Sequence, residues 1–249
     1  MPYRRIFLPF AVLLLMLLPS GAYAMHISEG ILPFGWAATW YALSLPFLAI
    51  GLRTLSRRSA QDLSSKPLVG LITAVVFVLS CMPVPVPIAG SCSHPCGTGL
   101  AAVLLGPTLG VVVAAVALLI QALFMAHGGL STWGANLISM GVAGSFAGYA
   151  VFRSARGFGM SIGLAGFAAG MAADWATYGV TAMVLAFGIA GPSPVLPIFT
   201  MIGAAFIPTQ LPLGILEGAI TAGVLTLLQK RRPDLLARIS GTSAAKVSQ

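Results

Sequence analysis

Seven apolar segments separated by short polar breaks constrain the fold of this chain more tightly than any other feature. Their limits are Trp36–Leu52, Pro67–Met82, Gly97–Gly106, Pro107–Ala126, Trp133–Phe152, Gly159–Ala190 and Pro197–Leu228. A helix that crosses a bilayer takes about 20 residues, so most of these runs are long enough to span. Only 7% of the 249 residues are charged, against 58% hydrophobic. A soluble domain carries roughly a quarter charged residues, and disorder requires low hydrophobicity. Three cysteines in so long a chain do not make a disulfide scaffold. The expected fold is an all-α polytopic membrane protein with about seven transmembrane helices.

A separate segment precedes these runs. Arg4 and Arg5 give a positive start, Ile6 to Leu18 is mostly apolar, and Pro19, Ser20 and Gly21 break the helix. Ala22-Tyr23-Ala24 then fits a small-x-small cleavage site. Residues 1–24 read as a cleaved secretory signal peptide. Residues 25–228 then form the membrane-embedded domain, and residues 229–249 a basic cytoplasmic tail.

Charge parity supports the count of seven. Arg53, Arg57, Arg58 and Lys66 follow the first run, Arg153 and Arg156 the fifth, and Lys230, Arg231, Arg232 and Arg238 the seventh. With Met25 outside, seven crossings put all three clusters inside, as the positive-inside rule requires. The expected location is the inner (plasma) membrane, with the mature N-terminus outside and the C-terminus cytoplasmic. The net charge of +8 therefore sets topology and is not a nucleic-acid footprint.

Two features point to the interior. Gly97–Gly106 is too short for a normal span, and irregular backbone at membrane depth survives only where protein or a cavity surrounds it. Gly141-x2-Gly144-x3-Gly148 and Gly166-x3-Gly170 present small residues on one helix face. Such faces permit close packing inside a bundle, or docking of another membrane subunit.

Few residues remain for chemistry, and an ionisable group in a bilayer is a functional candidate by default. His26 is the second residue after the cleavage point. The Met25 amine, the His26 amide nitrogen and the His26 imidazole can close a five- and a six-membered chelate ring on one metal. A fourth nitrogen from another imidazole would complete a plane suited to Ni²⁺. His94, in Ser91-Cys92-Ser93-His94-Pro95-Cys96-Gly97, lies on the same side as Met25 by parity. Cys92, His94 and Cys96 could instead bind zinc, though the spacing is unusual for it, or Cys92 and Cys96 could pair as a disulfide. Cys81 reads as a buried small hydrophobe. His127, in a turn between the fourth and fifth runs, reads as a hydrogen-bonded structural histidine. Glu29 is a carboxylate for a ligand imidazole or a turn partner. Asp174 and Glu217 read as partners for buried backbone or hydroxyl groups. The sequence contains no Ser-His-Asp order, Walker lysine motif or His-Glu-x-x-His.

Four strings, in order, resemble a known family. They are Met25-His26-Ile27-Ser28-Glu29-Gly30, the loop from Ser91 to Gly99, His127 to Asn136, and Phe206 to Gly218. Together they look like the cobalt and nickel substrate-capture proteins of the CbiM/NikM type, the S components of energy-coupling factor transporters. The resemblance implies seven transmembrane helices with the mature N-terminus folded into the bundle. It implies Co²⁺ or Ni²⁺ as transported substrate, with no cofactor, held by Met25, His26 and His94. Glu29, His127, Asn136 and Glu217 are the supporting polar residues. It implies a transmembrane coupling (T) subunit, cytoplasmic ATPase subunits and a small accessory membrane subunit as partners. Cys96 departs from the pattern, which has threonine there. The rival readings are a membrane-embedded metalloenzyme using His94, His127 and Glu217, and a structural membrane subunit.

Everything at this candidate site depends on where the mature chain begins. The intact mass of protein extracted from membranes should be that of a chain starting at Met25. A mass that retains residues 1–24 would contradict the cleavage.

Overall fold

The computed structural model describes residues 23–24, 26–82, 84–86, 91–234 and 236. Met25 and the leader-like segment up to residue 22 lie outside the described residues, as does most of the basic tail. Seven helices are described: α1 Phe34–Gln61, α2 Ser65–Ser80, α3 Thr98–Leu105, α4 Pro107–Phe124, α5 Trp133–Gly157, α6 Ile162–Ile189 and α7 Val195–Arg231. They match the seven apolar runs one for one. Five of them, α1, α4, α5, α6 and α7, are long and apolar enough to cross a membrane. Helix α2 is a shorter apolar helix, and α3 has only eight residues.

The helices outrun the apolar segments at several ends. Helix α1 continues through Arg53, Arg57 and Arg58 to Gln61, and α7 through Lys230 and Arg231. Arginine, lysine and glutamine are good helix formers, so leaving the apolar zone does not end the helix. Pro46, Pro208 and Pro212 lie inside α1 and α7. Proline removes a backbone donor, and neighbouring helices make up the loss in membranes. Between the two prolines of α7, the Trp175 indole of α6 donates to the Gln210 carbonyl at 3.0 Å and ties the two helices together. Within α5, Leu137–Gly144 is π-helical.

A small sheet departs from the all-α expectation. Strands β1 Tyr23–Ala24, β2 Val84–Val86 and β3 Ser91–Ser93 pair in the order β1-β3-β2. Tyr23 and Ala24 run parallel to Ser91 and Cys92, which ties the start of the described chain to the loop that carries His94.

Helix α3 is the centre of the bundle, and all eight of its residues are buried. Its small residues meet small residues on α4, α5 and α6. A Cβ on Gly99 would lie 2.8 Å from the Ala173 Cβ of α6, and one on Gly148 of α5 would lie 3.1 Å from the Gly99 Cα. A Cβ on Gly110 of α4 would lie 3.4 Å from the Ala102 Cβ. The glycine faces read from sequence are used in the same way. A Cβ on Gly144 would meet Thr177 and Thr98 hydroxyls at 2.6 and 2.7 Å, and one on Gly170 would meet the Glu217 carbonyl at 2.7 Å. These faces pack inside the described bundle.

At one end of the bundle the Arg58 guanidinium donates to the Leu105 carbonyl at 2.8 Å. This covers an orphan acceptor at the α3 C-terminus, where a cation also complements the helix dipole. The chain then turns at Gly106 (φ +94°) into α4.

Close packing at α6–α7 yields a direct test. Gly170→Ala places a methyl against backbone that cannot move aside, and should cost about 1–3 kcal/mol. Gly179→Ala on the same helix meets nothing within 4 Å, and should be neutral or stabilising by up to about 1 kcal/mol. Melting curves in detergent check both. An equal effect of the two substitutions would contradict the packing.

Candidate metal centre

The described chain enters the bundle at His26, which is 4% exposed. Its position is fixed through the next residue. The Ile27 amide donates to Asn136 Oδ1 at 2.9 Å, and Asn136 Nδ2 donates back to the Ile27 carbonyl at 3.1 Å. Thr132 Oγ1 also donates to that carbonyl. One side chain on α5 thus satisfies both main-chain groups of a buried extended residue, as burial demands.

Two glycines make room for this segment. Gly128 adopts φ +79°, and a Cβ there would lie 3.2 Å from the His26 Cβ. A Cβ on Gly129 would lie 2.6 Å from the Glu29 Cα. The Glu29 carboxylate accepts from the Ser131 amide at 3.0 Å, and bonding from the Ser131 hydroxyl, then from that amide, holds it below the usual carboxylate range. The described contacts of Glu29 therefore secure the turn. The Tyr41 hydroxyl donates to the Leu130 carbonyl and ties the same turn to α1.

His26, His94 and His127 converge here. Their ring centroids are separated by 4.8 Å (His26 to His94), 4.8 Å (His26 to His127) and 5.0 Å (His94 to His127). His94 Nε2 and His127 Nε2 are 3.0 Å apart. His94 Nδ1 lies 3.1 Å from the Pro95 carbonyl, which can only accept, so Nδ1 carries the hydrogen. In neutral His94 the lone pair is therefore on Nε2, the arrangement a metal-bound imidazole uses. The His26 Nε2 is buried and has no hydrogen-bond partner among the described residues.

Burial tunes these rings toward metal binding. Desolvation pushes His94 down to about 3, with the neighbouring His127 adding to the shift. Desolvation also holds His26 well below its ordinary value and lowers His127. Neutral imidazole is the form that ligates, so all three rings keep their lone pairs at neutral pH. Nitrogen donors of this kind suit Co²⁺, Ni²⁺, Cu²⁺ and Zn²⁺.

His127 is closer to the centre than the sequence suggested, because its ring joins the other two. Gln121, not singled out from sequence, is fully buried beside the cluster at the end of α4 and donates to the Ser80 carbonyl and hydroxyl. Its signal was present: a glutamine inside an apolar helix is expensive and therefore purposeful. Cys96 is a free buried thiol, so the Cys92–Cys96 disulfide is not formed. Cys81 is half-buried at the end of α2, with its Sγ 3.4 Å from Met125 Sδ.

Glu217 is not brought to the imidazoles. Its two oxygens accept from the Cys96 and Gly97 amides at 2.7 and 2.9 Å. They satisfy the non-helical backbone that leads from His94 into α3, which turns at Gly97 (φ +71°). Glu217 belongs instead to a second group with Cys96 and Asp174. Asp174 has no hydrogen-bond partner among the described residues, contrary to the role expected from sequence.

Residues 26–235 match the family described as the cobalt uptake substrate-specific transmembrane region, CbiM. The cobalt transport protein CbiM of Geobacter sulfurreducens is 61% identical over 234 residues, 94% of this chain and 68% of that protein. The cobalt transport protein CbiM of Sorangium cellulosum is 60% identical over 215 residues, 86% of this chain and 96% of that protein. A crystal structure described as a transition metal transporter matches with a TM-score of 0.73 at 27% identity, covering 83% of this chain and 93% of the other.

The depressed imidazoles set a pH dependence. Unfolded histidine takes its proton near 6.5, whereas folded His94 takes it only near 3. The unfolded state therefore binds more protons between these values, and stability falls as pH drops through that window. The metal-free protein in detergent should melt lower at about pH 5 than at about pH 7.5. His94→Gln should shrink the difference, and a melting temperature independent of pH would contradict the buried neutral rings.

Proposed function

The chain belongs to the cobalt uptake substrate-specific transmembrane region family, and from that premise we propose that it is the substrate-capture subunit of an ATP-driven Co²⁺ or Ni²⁺ uptake transporter. The observation that carries this reading is the convergence of His26, His94 and His127 in a buried pocket at one end of a membrane bundle. The metal is bound as cargo. The relatives named above are transport proteins, and Glu217 lies in a different group from the imidazoles. That separation removes the general base on which a metalloenzyme reading relied.

In this reading, cleavage after Ala24 leaves Met25 as a free amine beside His26. The amine, the His26 amide and imidazole, and the His94 imidazole hold the ion. His127 is positioned to orient His94 or to replace a ligand during entry. Asn136 and Glu217 shape the two buried backbone stretches that carry these ligands, and Glu29 secures the turn. The seven-helix bundle spans the inner membrane, with the short α3 enclosed within it, the capture end outside and the Arg58 end cytoplasmic. Energy comes from cytoplasmic ATPase subunits through a transmembrane coupling subunit, with a small accessory membrane subunit completing the complex.

The main-chain ligands give the sharpest test. One extra alanine before Met25 turns its amine into an amide and moves His26 to third position. Metal affinity of the mature protein should fall by at least about tenfold, or 1.4 kcal/mol. Asn136→Ala, which frees Ile27, should weaken binding by about ten- to a hundredfold. Isothermal titration with Co²⁺ and Ni²⁺ measures both. Unchanged affinity in the extended protein would sink the amine chelate.

A further inference from the structure

The second buried group is chemically unlike the first. Cys96, Asp174 and Glu217 each bring a ligand atom within 4.8 Å of the others. Cys96 and Asp174 are 0% exposed and Glu217 is 1% exposed. Asp174 lies within α6 and Glu217 within α7, both well inside candidate spans.

Both Asp174 oxygens are buried and unpartnered among the described residues. A carboxylate in a dry interior without a hydrogen bond or cation is one of the costliest arrangements a protein can hold. The described residues place no lysine, arginine or histidine against it; their one ion pair is Arg232–Asp234, at the end of α7. Thr98 Oγ1, on the first residue of α3, is a further buried oxygen without a partner. Glu217 spends one lone pair of each oxygen on the Cys96 and Gly97 amides. A carboxylate has about four lone-pair directions, so each oxygen retains an acceptor site. Those amides also fix the Cys96 backbone, which holds its sulfur beside the two acids.

We propose that Cys96, Asp174 and Glu217 form a second site for a divalent transition-metal cation, distinct from the imidazole cluster. The Cys96 thiolate and one carboxylate cancel the charge of a dication, with the other carboxyl keeping its proton and binding through its carbonyl oxygen, so the low-dielectric interior holds no net charge. One sulfur with two oxygens suits a borderline ion such as Co²⁺ or Zn²⁺ better than Mg²⁺ or Ca²⁺. Cys96 is two residues from His94, so the Cα atoms are at most about 7 Å apart. An ion leaving the imidazoles has this site as its next set of ligands toward α3.

A cobalt titration of the purified, processed chain in detergent, followed by absorption, tests this. Sulfur-bound Co²⁺ adds a strong near-ultraviolet charge-transfer band that nitrogen-bound Co²⁺ lacks. The expected result is a first equivalent without that band and a weaker second equivalent with it. Cys96→Ser should abolish the band. Asp174→Asn should lose the second equivalent and keep the first. A His26→Ala, His94→Ala chain should keep the sulfur-coloured equivalent, so failure of the imidazole site and failure of this one read separately. Saturation of the wild-type chain without the band would overturn the proposal. So would a band that persists in Cys96→Ser, or two equivalents retained in Asp174→Asn.

Discussion

A backbone N–H or C=O inside a bilayer must find its partner within the protein. Wherever this chain leaves helical geometry at depth, one polar side chain has been placed to meet that demand. Asn136 satisfies both main-chain groups of Ile27. Glu217 receives the two amides ahead of α3. Arg58 covers a carbonyl at the end of α3. The candidate ligands sit next to the first two of these points because non-helical backbone is what lets a side chain turn inward. Binding chemistry and backbone satisfaction therefore share the same few polar residues.

The short helix follows from this arrangement. Helix α4, with 18 residues, rises about 27 Å. Helix α3, with eight, rises only about 12 Å. Residues 94–97 carry the chain on from α3, turning at Gly97 (φ +71°). They bring His94 Nε2 to 3.0 Å from His127 Nε2, beyond the far end of α4. A full-length helix in place of α3 would need no Glu217, but it would carry no inward-turned loop either.

Much of this was legible in the sequence. Each apolar run became a helix, because continuous apolar length specifies a membrane helix almost alone. The brevity of Gly97–Gly106 marked a helix that is wholly buried, and His26 and His94, expected on one side, do meet. What could not be read was lateral distance. His127 lies 33 positions from His94, and only the pairing of α3 with α4 makes them neighbours. Asp174 met Glu217 through the register of α6 on α7, set by glycine contacts such as Gly170 on the Glu217 carbonyl. The helix ends were missed because helix propensity ignores the membrane boundary. The β1–β3 pairing was missed because strands of two or three residues leave no periodicity to read.

The two buried groups solve one electrostatic problem in different ways. Three neutral imidazoles give a dication good bonds but leave its whole charge in a low-dielectric pocket. Depressing the imidazoles through burial removes competition from protons, yet it does nothing to neutralise the ion. A ligand set that includes the His26 amide nitrogen supplies one negative charge from the main chain, without an acidic side chain at the entrance. The second group, with Cys96, Asp174 and Glu217, brings acidic side chains to the ion instead. There a thiolate and one carboxylate would balance a dication, at the expense of acids held in apolar surroundings. The two groups thus differ in where the compensating charge comes from: the main chain at the imidazoles, and side chains at the second group.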